Sequence, residues 1–459
     1  MGSIVPTHAQ AIGQVIAGID LSALGRTPAD KGKVCLLDFL SCAFEAIDLE
    51  WSRQARAVIG MGGEAHVIGA AKTASAADAA FVNAVAGHGL VREDMHAASI
   101  SHHGVVVWPT LLALAERQRV TGSRLIEAAI IGYEVGCRIG RALFDAELAR
   151  LFRPTGLVGP IGAAAGGAYL LALDQRQIAS ALALAANASG GLNQWPHSGG
   201  SDMYFHPGHA ARSAVTAVLL AQQGAYGSRD IFEGEAGLFA AFARRPAPGA
   251  IALFPDGQAD ILNVYNKPAP ACNFAQTACQ AALRLAVDLP EGTMINAVHI
   301  RVPRAAAYYP GCDFTGPFER PLQAKMSIQF GVAAVLANRR IAESNYARLD
   351  DPEVLRLIEV SRLESSDELS AAFPAAQGAE LELELANGRR PRISLADVTP
   401  ATEAEIRFRF REASGAVLGA RRAKVIEDFI DNIEKQPNAG RLAGLCAPTR
   451  NSAGPTGLT

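Results

Sequence analysis

Apolar positions along this chain return mainly at helical spacing. Residues 9–18 and 29–47 repeat every three or four positions, and the second segment, DKGKVCLLDFLSCAFEAI, is apolar enough to sit centrally in a bundle. The same period covers 73–86, where Ser75 can cap the start and Asp78 suits the positive end of the helix dipole. Pro109 reads as the opening of a helix through LLALAERQRV. Further helices are predicted over 125–144, the Ala/Gly-rich stretch after Pro154 and Gly156, 177–188 and 210–224. Past 262 the texture changes. MINAVHIRVP, 294–303, alternates as a strand with a proline at its exit, and a helix follows over 325–337. Strict alternation on both sides of Asn387-Gly388 predicts a hairpin over 380–395, its leucines covered and its glutamates toward water. Thr402-Glu-Ala-Glu405 is a capping box that opens a helix, and 420–435 forms the last one, before a tail that reads as loosely held. The pattern predicts two domains. A large all-α domain takes residues 1–265 and 401–459, and an α+β lid domain, residues 266–400, is inserted into it.

Composition narrows the partners. Hydrophobic residues make up 49% of 459, so the cores are large and the chain globular. A formal net charge of −3 with no long basic run points away from nucleic acid and from an anionic membrane, toward a small-molecule partner. Seven cysteines without a C-x-x-C pair fit reduced thiols and a cytoplasmic setting, and the N-terminus lacks the basic and apolar regions of a signal peptide.

Chemistry concentrates between Asn83 and Glu116, where His88, His96, His102 and His103 share a glycine-punctuated polar loop with Arg92, Glu93 and Asp94. A second His-bearing stretch, 188–209, reads as a long loop with His197, His206 and His209. His206-Pro-Gly-His209 lacks a third ligand, so no metal site is expected. No Walker or Rossmann loop follows a strand, and no cofactor is expected.

The order of motifs carries a resemblance. Asn83-x4-His88 with Glu93-Asp94, His102-His103-Gly104 with Pro109, Gly132-Tyr133-Glu134-Val135, Thr155-Gly156, His206-x-Gly208, and Lys267-Pro268 with Cys272 together resemble the MmgE/PrpD family. That family includes 2-methylcitrate dehydratase, cis-aconitate decarboxylase and iminodisuccinate epimerase. The resemblance implies a helical domain interrupted by a lid, a homodimer, and a cofactor-free active site for a small anionic polycarboxylate. This chain departs from the dehydratase and decarboxylase pattern at Val91, Arg153, Met203 and Phe330, where aspartate, histidine, lysine and tyrosine are usual. Those departures lead to the expectation of an isomerase, an epimerase of an iminodisuccinate-like acid. The alternative is a hydro-lyase or decarboxylase of a tricarboxylate. A metal-dependent hydrolase and a non-catalytic binding relative are the readings from other classes.

Proton abstraction beside a carboxylate needs a base and cations that stabilise the developing charge. Lys267 and His102 are the expected acid and base, with Asp94 orienting His102. Arg153 is placed to grip a carboxylate with its planar fork, and Lys325 adds a cation. His103, Arg92, His206 and His96 complete the expected substrate-binding set.

Overall fold

The structure is a computed structural model that describes residues 5–448. Helices dominate the first 222 residues. The central one, Thr27–Glu45, is buried from Cys35 to Phe44, as its nearly unbroken apolar run requires. Ala76–His88, Gly104–Arg117 and Gly122–Leu143 pack on it, and Pro154–Leu170 and Asp202–Gln222 form a further layer against those helices. Small residues bring some of these helices very close: a Cβ at Gly162 would come within 2.6 Å of the Gly132 carbonyl oxygen.

From Gln276 the chain builds a different layer. Four strands lie in the order Ser361–Ser365, Ile295–Val302, Ala379–Leu385, Arg392–Leu395, the first pair parallel and the others antiparallel. Helices Gln276–Asp288 and Ile328–Asn338 pack on each other and on this sheet. Leu381, Leu383 and Leu385 are buried while the alternating glutamates are half-exposed, and the ladder pairs Ala379–Glu382 with Arg392–Leu395 around the Asn387-Gly388 turn. The chain then returns to the helical body. Glu403–Leu418 opens on the Thr402 capping box and packs along Thr27–Glu45. The crossings in the two directions touch, since the Ala401 N–H donates to the Asn266 carbonyl at 2.9 Å. The protein is thus a mostly helical, two-domain molecule. Among the described residues no helix is long and apolar enough to cross a membrane.

Several expectations need correction. The helical body is not all-α, because it holds two short antiparallel pairs, Ala65–His66 with Thr73–Ala74 and Met95–His96 with Val264–Tyr265. Pro109 does not start its helix. That helix runs Gly104–Arg117, because Val105, Val106 and Val107 are fully buried and carry it through the proline. The long loop over 188–209 is mostly helical: Trp195–Ser198 is one turn, and Asp202–Gln222 runs through Pro207, so His206 and His209 lie on a helix. The helix over 325–337 is broken at Ser327, whose hydroxyl accepts the Phe330 N–H at 3.0 Å. The tail is held as far as it is described: Ala439 donates to the Val120 carbonyl at 2.8 Å and Leu442 is fully buried.

Candidate active site

The short strand pair 95–96 with 264–265 draws two distant parts of the chain together. It lays the loop that follows His88 against the segment that leads into Lys267. Lys267 is fully buried, and its ammonium donates to the Val91 carbonyl. Val91 offers that oxygen from a left-handed backbone, φ 58°, a conformation that a β-branched residue adopts only under strain. From the other side, Arg409 on the returning helix donates to the Lys267 and Pro268 carbonyls at 3.0 and 2.8 Å. The lysine is therefore fixed at both its backbone and its ammonium.

Opposite it lies a chain of hydrogen bonds that also fixes ring tautomers. Arg153 donates through Nη2 to His88 Nε2 at 3.3 Å, so the His88 proton is on Nδ1, which meets Glu93 Oε1 at 2.6 Å. His102 Nδ1 lies 2.8 Å from the Asp94 carbonyl and 3.2 Å from Glu93 Oε1. Both of these are acceptors, so Nδ1 carries the proton and Nε2 keeps a free lone pair. Burial pushes the His102 pKa well below its ordinary value, more than Glu93 raises it, and the ring is neutral. Burial opposes the charge on Glu93, but the N–H groups of His88 and His102 that face it, with the Lys267 ammonium, outweigh it and hold the carboxyl below its usual range. Burial lowers Lys267, with Glu93 opposing, and lowers Arg153 as well.

His102, Arg153 and Lys267 line one cavity of ≈ 40 Å³ with Val91, Met95 and Met203 among its apolar walls. Cys272 and Asn273 also border it. The Arg153 Nε finds no partner, and the guanidinium carbon sits 5.5 Å from the centre of the Trp195 ring. A buried cation with an unused donor beside a cavity is suited to an anion. The larger surface cleft near Gln10 and Arg176, ≈ 440 Å³, brings no buried charged group to its walls.

The other residues that the sequence pointed to lie elsewhere. Asp94 does not border the cavity. Its carboxyl accepts the Tyr133 hydroxyl and the Gly104 N–H, and burial raises its pKa to about 7. Its link to His102 is the backbone carbonyl, and the carboxylate beside His102 is Glu93. Arg92 pairs with Glu45 at 2.7 Å, and Lys325 with Glu343 at 2.6 Å and the Leu90 carbonyl at 2.9 Å, away from the cavity lining. His206 packs near Arg153 without reaching the cavity, and burial lowers its pKa to about 3. His96 and His103 both bond to the Ser99 hydroxyl, at 2.8 and 3.1 Å, and burial lowers each to about 3. With Cys137 they bring three donor atoms within 4.8 Å of one another. That group is separate from the cavity, and Arg141 stands 3.4 Å from His96, a charge that opposes a bound cation. His88 and Glu93, which the sequence marked only as part of the polar loop, reach Arg153 and His102 without bordering the cavity themselves. Their link is a contact between a helix end and the loop after it, which neither periodicity nor spacing displays.

A sequence model of the MmgE/PrpD N-terminal domain matches residues 10–250, and one of the C-terminal domain matches residues 269–435. The chain belongs to the MmgE/PrpD family. Among relatives of this MmgE/PrpD protein, the cis-aconitate decarboxylase-like protein oryM of Aspergillus oryzae is 26% identical, covering 91% of this chain and 93% of the relative. Cis-aconitate decarboxylase of Aspergillus terreus is 25% identical over 91% of each. The human cis-aconitate decarboxylase is 32% identical over a shorter stretch, 36% of this chain and 35% of its own. These matches overturn the expectation of an isomerase. The MmgE/PrpD relatives that align along nearly the whole chain bear the names of decarboxylases, which are lyases.

Proposed function

We propose that this protein is a cofactor-independent lyase that decarboxylates an unsaturated tricarboxylate of the cis-aconitate type. The observation that supports it most is the composition of the cavity: two buried cations, Lys267 and Arg153, and a neutral His102 among otherwise largely apolar walls. Two retained carboxylates face the cations. The third lies against Val91, Met95 and Met203, where lost hydration favours departure as neutral CO2. As that carbon–carbon bond breaks, its electron pair moves through the double bond to the carbon beside a retained carboxylate. The charge developing there faces Lys267, which then supplies the proton that completes the product. Burial lowers the Lys267 pKa and makes that transfer easier.

A second reading, loss of water from a hydroxytricarboxylate of the 2-methylcitrate type, is favoured by one observation. His102 Nε2 has a free lone pair across from Lys267, the base and acid that elimination of water needs. Proton NMR in heavy water separates the two. With cis-aconitate the expected result is CO2 and a five-carbon unsaturated diacid carrying one solvent deuterium. Turnover of 2-methylcitrate to an alkene alone would select the second reading, and turnover of neither acid would remove both.

The cavity is far smaller than the roughly 300 Å³ and more of ordinary ligand sites. Residues 266–400 therefore act as a lid that opens about the Asn266–Ala401 contact to admit substrate.

A further inference from the structure

The cavity shares a wall with a much larger groove. Ile100, Phe274 and Tyr309 line both the ≈ 40 Å³ chamber and an outer groove of ≈ 480 Å³. One bank of the groove belongs to the helical body, at Ala146 and Ala149, and the other to the α+β layer, at Pro303, Ala305 and Phe373. Its charged side chains are Arg150 and Arg304, both exposed. A small acid that is anionic all over meets only these two solvated cations there, while the apolar remainder of the groove strips hydration and returns no partner. An acid with a charged head and an apolar arm gains at both ends.

The shared wall is also built at a cost. Ile100 stands at the tip of a turn closed by His96 and Ser101, whose backbones bond each other in both directions, and its φ is 52°. A β-branched residue held in the left-handed region is strained, and such strain persists where the surroundings impose it. Here it keeps an apolar side chain between chamber and groove. Tyr309 is fixed by a hydrogen bond from Asn193 at 3.0 Å, and Phe274 by a one-turn helix, Asn273–Ala275, directly after Cys272.

We propose that the acid taken by this enzyme carries a hydrocarbon arm longer than a methyl group, which passes the Ile100, Phe274 and Tyr309 wall into the groove while the carboxylates face Lys267 and Arg153. This rests on the polycarboxylate reading above and adds the substrate's shape to it. Binding is separated from chemistry by using succinate and 2-alkylsuccinates from methyl to hexyl, saturated diacids that are not set up to lose CO2, in titration calorimetry with the full-length protein. Each added methylene is expected to lower Kd about fourfold until the groove is filled. Ala305→Trp, on the groove bank, is expected to flatten the series to less than twofold overall. Affinity that is constant or falls with chain length, while succinate itself binds, overturns the arm and leaves the polycarboxylate reading standing. A second copy of the chain lying over the groove would give that outcome. Failure of every acid to bind, succinate included, overturns both. A gain with chain length that survives in a folded Ala305→Trp protein shows that the arm lies elsewhere, and the proposal falls. The wild-type series decides by itself if the variant does not fold.

Discussion

His102 receives its tautomer from an oxygen of the main chain and from Glu93, and this divides the labour between two adjacent carboxyls. Glu93→Gln removes the charge beside His102 and Lys267, and is expected to lower turnover by on the order of 10²-fold. Asp94→Asn, in contrast, changes a group that holds Tyr133 and Gly104, and is expected to cost less than about tenfold. Steady-state rates of the two variants side by side test this, and a larger loss in Asp94→Asn would reverse the assignment. Asp94 also has a pH signature. Its pKa is raised from 3.8 to about 7, so between those values the folded chain keeps a proton that the unfolded chain has released. Stability from this group is therefore complete below the lower value and falls as pH rises toward 7. Melting curves should show wild type losing ground to Asp94→Asn across that window, with a constant difference above it. Lys267→Ala should abolish turnover by at least about 10²-fold while the protein stays folded, since it loses the buried cation and the proton donor together. The sequence brought forward both the cluster 88–103 and Lys267 as candidates, and the structure brings His102 and Lys267 to one cavity. The partition within the cluster was not legible. Neighbouring residues on an irregular loop point in unrelated directions, so Glu93 and Asp94 look equivalent until the backbone is known.

Among elements, the start of Gly104–Arg117 is tightly constrained by the groups beside the site. A Cβ at Gly104 would lie 2.5 Å from both Asp94 Oδ2 and the Tyr133 hydroxyl. Gly104→Ala is expected to break that clasp and destabilise the fold by about 1–3 kcal/mol, read as a lower midpoint in urea with an unchanged slope. An unchanged midpoint would mean that the clasp yields without cost. Capping boxes and alternation were readable because they are local: the Thr402 cap and the leucine-faced strand Ala379–Leu385 form as their spacing requires. The features that build the site are not local. Pairing of Met95–His96 with Val264–Tyr265 involves two residues on each side and leaves no periodic trace, and the left-handed Val91 contradicts its own residue preference. Pro109 misled for a related reason, because a buried valine run outweighs the usual meaning of a proline.

For the whole molecule, the change of texture near 262 was legible because a switch from helical to alternating period is a property of long segments, and the strands Ile295–Val302 and Ala379–Leu385 form where that period predicts them. Two measurements follow at this scale. Among the described residues the one three-donor group, His96 with His103 and Cys137, stands apart from the cavity, so dialysis against a chelator is expected to leave full activity. Activity that returns only with added Zn2+ would contradict this. If residues 266–400 open as a lid, a bound diacid should slow amide exchange at Asn273–Ala275 and along Asp202–Gln222 near Met203, and equal exchange with and without ligand would argue for a static cleft. The Arg409 clamp has a further consequence, for synthesis. Translation delivers the histidines first, the lysine well over a hundred residues later, and the arginine that holds the lysine's backbone after another 142 positions. A ribosome must therefore read as far as Arg409 before the lysine's backbone is held in place. Prematurely terminated products that end before Glu403–Leu418 would contain every residue that borders the chamber and still be inert. Such fragments would carry the candidate groups without the framework that aligns them.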